Sequence, residues 1–413
     1  MKIDKVFKCL ALPVLIAIFT QFLGGGVARA AVIPIFNYLG CSNADEMNCI
    51  LGISATYTDG RTEVGQLTGK ANTWDSRDFE QNIRTYQAQE WRFPGLRNSS
   101  GTNTVVSQIW MQKPVKTSQG IDYGALDVTL FASLFDSPQE PLNQSLCNSM
   151  EVVSSCLTPP QFPKNVKFTI TLISNALQPG LTSGSVSEAE FIQTPTAGGM
   201  IFTISGTAME IPINLPDKFG TNPGQFNQSL DDRYYWHLYT LDSRNPNFNL
   251  GGSDSCKAAN PIISSNAALA SLPTYDVKTQ EISLNVASPH LKKDGVNLEE
   301  GTFEARIPLK AIDCIWGVSE RSLSERLQLN ITYQDGASSV STLNAGKRND
   351  DFIIRADGYH YSSPTIHLKF LPPAAPAITT IKKKTIVCYR NKTIKNVSGL
   401  APRCPSGFKL KKT

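Results

Sequence analysis

The chain has 413 residues, of which 41% are hydrophobic and 18% are charged, with a formal net charge of +4 at pH 7. The low charged fraction, with 29 glycines and 25 prolines, argues against a long-helix protein and favours strands separated by turns. The charge is unevenly distributed: the 32 residues of 382–413 hold ten basic and no acidic side chains, whereas residues 31–381 hold 34 acidic and 25 basic ones. The sequence therefore predicts a body and a separate basic C-terminal module.

The first 30 residues have the features of a secretory signal peptide. Three lysines within the first eight residues precede the apolar run Leu10–Phe22, and Ala28 and Ala30 supply the small residues that signal peptidase requires. The apolar run is shorter than the roughly 20 residues of a membrane-spanning helix, which disfavours a retained anchor. The sequence therefore predicts an exported protein with its signal at residues 1–30.

Alternation of apolar and polar residues recurs through the body and is typical of strands with one buried face. The pattern predicts strands in six segments: Leu126–Leu134, Val166–Leu172, Ile282–Val286, Phe303–Leu309, Leu327–Tyr333 and Ile366–Phe370. Many short strands with one apolar face each can bury those faces when two sheets pack against each other. We therefore predict an all-β fold with one or two β-sandwich-like domains, at residues 31–158 and 159–371.

Other segments favour helix, loop or linker. Helical patterns are weak: residues 77–92 place Phe79, Ile83 and Tyr86 on one face and residues 318–327 suffice for a turn or two, but neither segment has clear capping residues. The segment 215–256 is rich in Asn, Gly and Asp, which favours a long loop region. The Pro- and Ala-rich residues 372–381 predict an extended linker between the body and the basic module.

Eight cysteines follow the predicted signal, and an even number in an exported chain predicts disulfides. Many pairings are open to eight cysteines, but proximity in the sequence favours four of them: Cys41–Cys49, Cys147–Cys156, Cys256–Cys314 and Cys388–Cys404. Metal binding is the competing interpretation. It is weaker because the chain has no CxxC motif and none of its four histidines lies close to a cysteine in the sequence.

The densest aromatic cluster is the run Arg233–Tyr239. Aromatic rings stack on sugar rings, so Tyr234 and Trp236 are candidate glycan-binding residues. Alternate aromatic residues are also ordinary on both faces of a strand, and in an all-β protein that interpretation is the stronger one.

An oxygen-rich segment follows this cluster. Calcium takes six to eight oxygen ligands of the carboxylate and amide type, which makes calcium the one candidate cofactor. The candidate ligands are Asp242, Asn245, Asn247 and Asn249. Segments rich in Asp and Asn are also typical of ordinary turns, and a turn is the stronger interpretation.

No standard catalytic signature is present, because the chain lacks GxSxG, HExxH, P-loop and GxGxxG patterns. A glycosidase needs only two carboxylates that folding brings together, so a secreted polysaccharide-acting hydrolase is the alternative function. The 34 acidic residues of the body give no way to choose such a pair. We therefore name no catalytic residue and favour a non-enzymatic protein.

The C-terminal module carries the clearest binding signal. A dense positive field suits an anionic cell-envelope polymer or surface, while predicted export and the acidic body disfavour nucleic acid as the partner. The residues that create this field are Lys382, Lys383, Lys384, Arg390, Lys392, Lys395, Arg403, Lys409, Lys411 and Lys412. A disordered tail would not need Cys388 and Cys404, so we predict a folded, disulfide-bridged element.

The module also resembles a known sequence element. Its segments Thr385–Cys388, Lys392–Gly399 and Pro402–Lys409 follow the pattern T-I-x-C, a basic stretch ending V-[ST]-G, and P-x-C-P-x-G-[YF]-K. This pattern is similar to a short C-terminal element of exported proteins from high-GC Gram-positive bacteria. In the body, Ser288–His290, Cys314–Gly317 and Tyr359–Ile366 resemble secreted proteins of the same bacteria. The resemblance implies an exported actinobacterial protein and carries no established activity.

These features predict an exported β protein that is associated with the cell envelope. The basic module would attach it to an anionic envelope polymer, and the body would have a binding or structural role, with a glycan as a further candidate ligand.

Overall fold

The computed structural model describes residues 32, 34–43, 45–77, 83–97, 103–117, 120–132, 162–213, 228–229, 231–245, 256, 259–333, 338–339, 342–361, 364–371 and 383–411. Packing divides the chain into two compact units, residues 1–371 and 372–413, which we call the body and the C-terminal module. The predicted signal at 1–30 and the predicted linker at 372–381 lie outside the described residues.

The first part of the body is built from strands. They are β1 Ile35–Asn37, β2 Cys49–Thr56, β3 Thr62–Val64, β4 Gln66–Arg77, β5 Ile83–Arg92, β6 Thr104–Gln112, β7 Val115–Thr117, β8 Gly120–Asp122, β9 Ala125–Ala132, β10 Lys167–Ser174, β11 Pro179–Gly184, β12 Val186–Pro195, β13 Met200–Ile213 and β14 Asp231–Asp242.

The rest of the body adds short helical elements to its strands. The helices are α1 Leu309–Trp316 and α2 Leu323–Arg326, with a 3-10 turn at Glu320–Ser322. The strands are β15 Ile262–Ser265, β16 Leu269–Ala270, β17 Thr274–Asp276, β18 Glu281–Ala287, β19 Glu300–Pro308, β20 Leu327–Thr332, β21 Ser338–Ser339, β22 Thr342–Arg348, β23 Asp351–His360 and β24 Thr365–Phe370. The C-terminal module contains β25 Lys384–Arg390, β26 Thr393–Gly399 and β27 Lys409–Leu410.

One long sheet runs through the body in the order β4-β5-β6-β9-β14-β11-β15-β19-β23-β22. All of these pairings are antiparallel except that of β11 with β15, which is parallel. A second layer, β3-β2-β10-β13-β12, is joined to the long sheet because the last part of β13 pairs with the first part of β14. A third layer, β16-β18-β24-β20-β21, is a separate sheet, and β17 also pairs with β18.

The layers enclose two hydrophobic cores. The first core lies between the β5-β6-β9-β14 part of the long sheet and the second layer, and includes Ile109, Phe168 and Trp236. The second core lies between the β15-β19-β23 part and the third layer, and includes Phe303 and Leu368. The body is therefore two β-sandwiches that share one sheet.

The two cores lie on opposite faces of the shared sheet. Successive side chains of a strand point to opposite faces, and in β15 Ile262 belongs to the first core while its neighbour Ile263 belongs to the second. In β14, Leu238 belongs to the first core and Leu241 packs against the second. Strands near this crossover are buried on both faces, and all four residues of β15 are buried.

The structure confirms the predicted all-β class, and the six strands predicted from alternation are present. The weak helical pattern at 77–92 does not correspond to a helix: Ile83–Arg92 is strand β5, in which Tyr86, Ala88 and Glu90 are buried at every second position. The loop prediction for 215–256 is also wrong in part, since it contains β14, a central strand of the long sheet.

Strands from both sides of the predicted domain boundary at residue 158 pair directly with each other. Strand β2 pairs with β10, and β9 pairs with β14. The sheet system is therefore continuous across this position in the chain, and residue 158 itself lies outside the described residues.

Disulfides are present at Cys41–Cys49, Cys256–Cys314 and Cys388–Cys404, as proximity predicts. Cys147 and Cys156 lie outside the described residues. Disulfides persist in oxidising environments, so these three bonds point to such a compartment. Among the residues that the structure describes, no helix is long and apolar enough to span a membrane.

A substitution at Trp236 can test the packing of the first core. It is fully buried and its indole N–H donates to the carbonyl of Gly206 at 2.9 Å. Trp236→Ala should lower the free energy of unfolding of the body by about 3–5 kcal/mol, measured by urea titration. Leu51→Ala, at a position in β2 that is 46% exposed, is the control and should cost less than about 1 kcal/mol. Equal stability of the two variants would contradict this core.

Candidate functional site

The C-terminal module is a three-stranded antiparallel sheet in which β25 pairs with β26 on one edge and β27 on the other. So short a chain buries little apolar surface, and small domains of this kind depend on covalent cross-links. Here Cys388 in the central strand is fully buried and bonded to Cys404. The disulfide fixes the segment after β26 against the sheet.

The two faces of this small sheet differ. Directly opposite residues of an antiparallel pair lie on the same face. Cys388 lies opposite Lys395, on the face that carries the disulfide and where Lys395 Nζ lies 5.5 Å from the centre of the Phe408 ring. Tyr389 lies opposite Ile394 and Lys409 on the other face.

This second face, which we call the open face, is accessible to solvent. Tyr389 is 41% exposed and Ile394 is 59% exposed. A concavity of about 740 Å³ is lined by Tyr389, Asn391, Lys392, Ile394, Lys409, Leu410 and Lys411. Three lysines thus surround an apolar and aromatic centre, and the module contains no carboxylate side chain to neutralise them.

The structure separates the basic residues that the sequence predicts as one set. Lys392, Lys409 and Lys411 line the open-face concavity. Lys384 and Arg390 alternate with Tyr389 along β25 and therefore lie on the disulfide face with Lys395. Exposed positions outside the concavity are held by Lys383 and Arg403, whereas Lys382 and Lys412 lie outside the described residues.

Trp236 was a candidate for stacking on a sugar, and the structure places its ring in the first core instead. Its burial leaves no face of the ring for a ligand. Tyr234 is partly buried and packs against the same core, with Lys164 Nζ 5.9 Å from its ring centre. Desolvation and a hydrogen bond with Glu210 raise the pKa of Tyr234. The aromatic cluster thus serves mainly to pack β14.

Asp242, the first calcium candidate, already has protein partners. It is fully buried, and its two carboxylate oxygens accept hydrogen bonds from the Arg244 guanidinium at 2.7 and 2.9 Å and from the Gln178 backbone N–H at 3.0 Å. Asn245 donates to Asp122 at 2.8 Å. Asn247 and Asn249 lie outside the described residues, and within the described part no cluster of His, Cys, Asp or Glu suits a metal ion. Arg244 supplies the positive charge that a cation would bring.

A second polar cluster surrounds His367 on the third layer. Glu281 Oε1 lies 2.7 Å from His367 Nδ1, and Thr332 Oγ1 lies 2.9 Å from His367 Nε2. Hydrolases use the same order of carboxylate, imidazole and hydroxyl. Strand β24 is hydrogen-bonded on both edges, to β18 and to β20. The contacts of His367 therefore link side chains of three neighbouring strands.

Arg306 forms the centre of an ion cluster on the face of β19 opposite the second core. Its guanidinium lies 2.9 Å from Glu190 Oε1 of β12 and 2.7 Å from Asp351 Oδ2 of β23. Two solvent-open clefts share Arg306 as a lining residue. In one of them, burial raises the pKa of Glu304, whose carboxylate accepts a hydrogen bond from the Glu188 backbone N–H at 2.6 Å.

Glu299 is a carboxylate whose pKa is displaced toward neutral pH. Desolvation, reinforced by the charge of Asp232, raises its pKa from 4.5 to about 7, and its Oε1 has no hydrogen-bond partner. A general acid of a glycosidase has a pKa of this kind. Glu299 is not among the lining residues of the two Arg306 clefts.

No protein-family model matches this chain, and no curated protein is similar to it in sequence. The fold and the sites define a disulfide-stabilised all-β protein whose C-terminal unit is a small basic sheet. Its function must follow from the chemistry of these surfaces.

Removing the module disulfide should unfold the module selectively. Cys388→Ser with Cys404→Ser opens a loop of 16 residues, and loss of such a cross-link costs about 3 kcal/mol. We expect trypsin to cleave at Lys392 and Lys395 before the body is cut, measured by mass spectrometry over time. The matched control is Cys41→Ser with Cys49→Ser, which should leave these two sites protected. Unchanged protection in the Cys388/Cys404 variant would contradict the role of the bond.

The raised pKa of Glu299 predicts a pH-dependent destabilisation. Because the folded state holds this proton more tightly than the unfolded state, stability falls as the pH rises from about 4.5 to 7. Glu299→Gln should therefore be more stable than the wild type by about 1–3 kcal/mol at pH 8, with little difference at pH 4, in urea titrations at both pH values. Glu300→Gln at the exposed neighbouring position is the control. An equal gain in that control would show a general charge effect.

Proposed function

We propose that this is an exported, non-enzymatic β protein whose C-terminal module attaches it to an anionic polymer of the cell envelope. The observation that carries the proposal is the open face, where three lysines border an exposed apolar and aromatic centre. The body then has a binding or structural role at the envelope.

The chemistry of the open face suits a flexible polyanion. A lysine ammonium is a compact charge on a long flexible stem, so Lys392, Lys409 and Lys411 can follow successive phosphate or carboxylate groups without one fixed geometry. Tyr389 and Ile394 offer apolar contact to the uncharged part of a polymer repeat. Since no acidic residue lies in the module, its positive field is not cancelled from within.

Export is supported by three independent features. The first 30 residues predict a signal peptide. The three disulfides indicate an oxidising environment. The resemblance of the module to an actinobacterial C-terminal element points to the same location.

The open face can be tested by removing its charge. The triple variant Lys392→Gln, Lys409→Gln and Lys411→Gln should bind sodium polyphosphate or polygalacturonate at least about tenfold more weakly than the wild type, because exposed charge contacts contribute up to about 1 kcal/mol each. Binding is measured by isothermal titration calorimetry at low salt and again at about 0.5 M salt. At the higher ionic strength, screening of the exposed charges should abolish binding. Comparing the two polymers separates phosphate from carboxylate recognition.

The matched control removes the same charge from the disulfide face. Lys384→Gln, Arg390→Gln and Lys395→Gln should weaken binding much less, although the net charge changes equally. Equal losses in both triple variants would show a diffuse charge effect and contradict the open-face site. In cells, deleting residues 382–413 should move the protein from the envelope fraction to the medium, and a truncated protein that stays bound would overturn attachment by the module.

A further inference from the structure

The open face of the C-terminal module carries a continuous apolar strip. Val387 and Tyr389 are two residues apart in β25, so their side chains point to the same side of the sheet. Ile394 of β26 lies directly opposite Tyr389 and therefore on the same face. Tyr389 is 41% exposed and Ile394 is 59% exposed, while Val387 is half-buried. The three side chains thus form one apolar surface that solvent reaches.

The lysines of the open face border this strip. Lys409 of β27 lies directly opposite Tyr389. Lys411 lies beside Val387, whose carbonyl oxygen accepts a hydrogen bond from the Lys411 backbone N–H at 2.8 Å. Lys392 is in the turn between β25 and β26, at the end of the strip. The positive charges therefore lie along one edge and one end of the apolar strip.

This separation of charge from apolar surface matches an anionic lipid. An exposed apolar patch bordered by polar residues marks an interaction site with a protein or a membrane. A phospholipid places a negatively charged phosphate next to an apolar glycerol and acyl region. Tyrosine suits the boundary between the two regions, because its ring is apolar and its hydroxyl group is polar. Lysines near an anionic bilayer add electrostatic attraction, and the module has no acidic side chain to oppose it.

A second copy of the chain is a poorer partner for this face. Pairing two open faces would bring the three lysines of one copy against the same three lysines of the other. Like charges at such close range repel, and no acidic side chain of the module is there to neutralise them. The charge of the open face therefore favours a partner of opposite sign.

We propose that the open face binds an anionic phospholipid of a bilayer, with the lysines holding the phosphate group and with Tyr389 and Ile394 against the glycerol and the first methylene groups. The concavity of about 740 Å³ on this face is within the range of roughly 300–1,000 Å³ that is usual for small-molecule sites. The proposal rests on the open face of the proposed attachment and adds a lipid as a further partner, for which the apolar strip is required.

The test measures sedimentation of residues 31–413 with vesicles made of equal parts of phosphatidylcholine and phosphatidylglycerol, at about 0.15 M salt. Ile394→Ser should raise the apparent Kd about tenfold or more, because it removes apolar surface that the lipid would cover. Ile394→Leu keeps that surface and should keep the wild-type Kd. Protection of Lys392 and Lys395 from trypsin verifies that each variant keeps a folded module.

The matched control is Leu400→Ser. Leu400 is an aliphatic residue of the same module that is 62% exposed and does not line the concavity, so this variant should bind vesicles like the wild type. An unchanged Kd in Ile394→Ser, or an equal loss in Leu400→Ser, would overturn the proposal.

A second measurement separates a lipid from a free phosphate compound. Monomeric dihexanoyl-phosphatidylglycerol and glycerol 3-phosphate are titrated by calorimetry. The lipid should bind at least about tenfold more tightly, although glycerol 3-phosphate carries more negative charge, because only the lipid has an apolar part. Equal affinities would overturn the proposal.

The outcome for the lipid is distinguishable from that for the polymer. A wild-type protein that binds polyphosphate or polygalacturonate but not the vesicles would overturn lipid binding and leave attachment to a polymer intact. Binding to the vesicles without binding to either polymer would support lipid binding and contradict attachment to a polymer.

Discussion

The architecture of the body depends on the pairing of β14, β11 and β15 in the middle of the long sheet. Strands β14 and β15 belong to both sandwiches, because their side chains enter the first core on one face and the second core on the other, and β11 between them contributes Leu181 to the second core. Such strands need apolar or internally paired residues on both faces. In β14, Leu241 is apolar and the adjacent Asp242 is paired with Arg244. In β15, the adjacent Ile262 and Ile263 are both apolar.

This shared sheet also creates the larger Arg306 cleft, which we call the β12 cleft because Phe191, Ile192 and Gln193 of β12 line it. Where the second core covers one face of β19, the opposite face is only partly covered by β12, and the charged residues on that face must find partners near solvent. Arg306 does so through Glu190 and Asp351. The opening beside this ion cluster follows from the crossover of the two sandwiches, since neither partner layer extends over the whole sheet.

The C-terminal module solves a different physical problem. It has too few apolar residues for an ordinary core, and its sheet is held by one buried disulfide at Cys388. One face is thereby used for stability, and the other is left with exposed Tyr389 and Ile394 among lysines. The positive charge lies on both faces, and Lys392, Lys409 and Lys411 line a concavity together with Tyr389 and Ile394 of the open face.

The all-β class and the strands with one buried face could be predicted from sequence, because period-two alternation is a local pattern that one covered face imposes. Strand β5 was not predicted, because Glu90 is polar yet buried, so its alternation is not one of hydrophobicity. Strand β14 could not be predicted from alternation, because it is covered on both faces and its apolar residues therefore do not alternate with polar ones. It also begins within an Asn- and Asp-rich segment. Nearby cysteines, by contrast, were paired correctly from proximity in three bridges.

The sequence by itself indicated the strand-forming pattern of this protein, three of its disulfide pairs and the separation of a basic C-terminal segment from an acidic body. The strand pattern and the charge separation depend on residues that are close in the chain. Only the tertiary structure decided that Trp236 is core, that Asp242 is neutralised by Arg244, and that three of the lysines share one face. The β12 cleft likewise joins residues from 191 to 351, and such distant residues meet only through strand register and the crossing of layers, which no local pattern encodes.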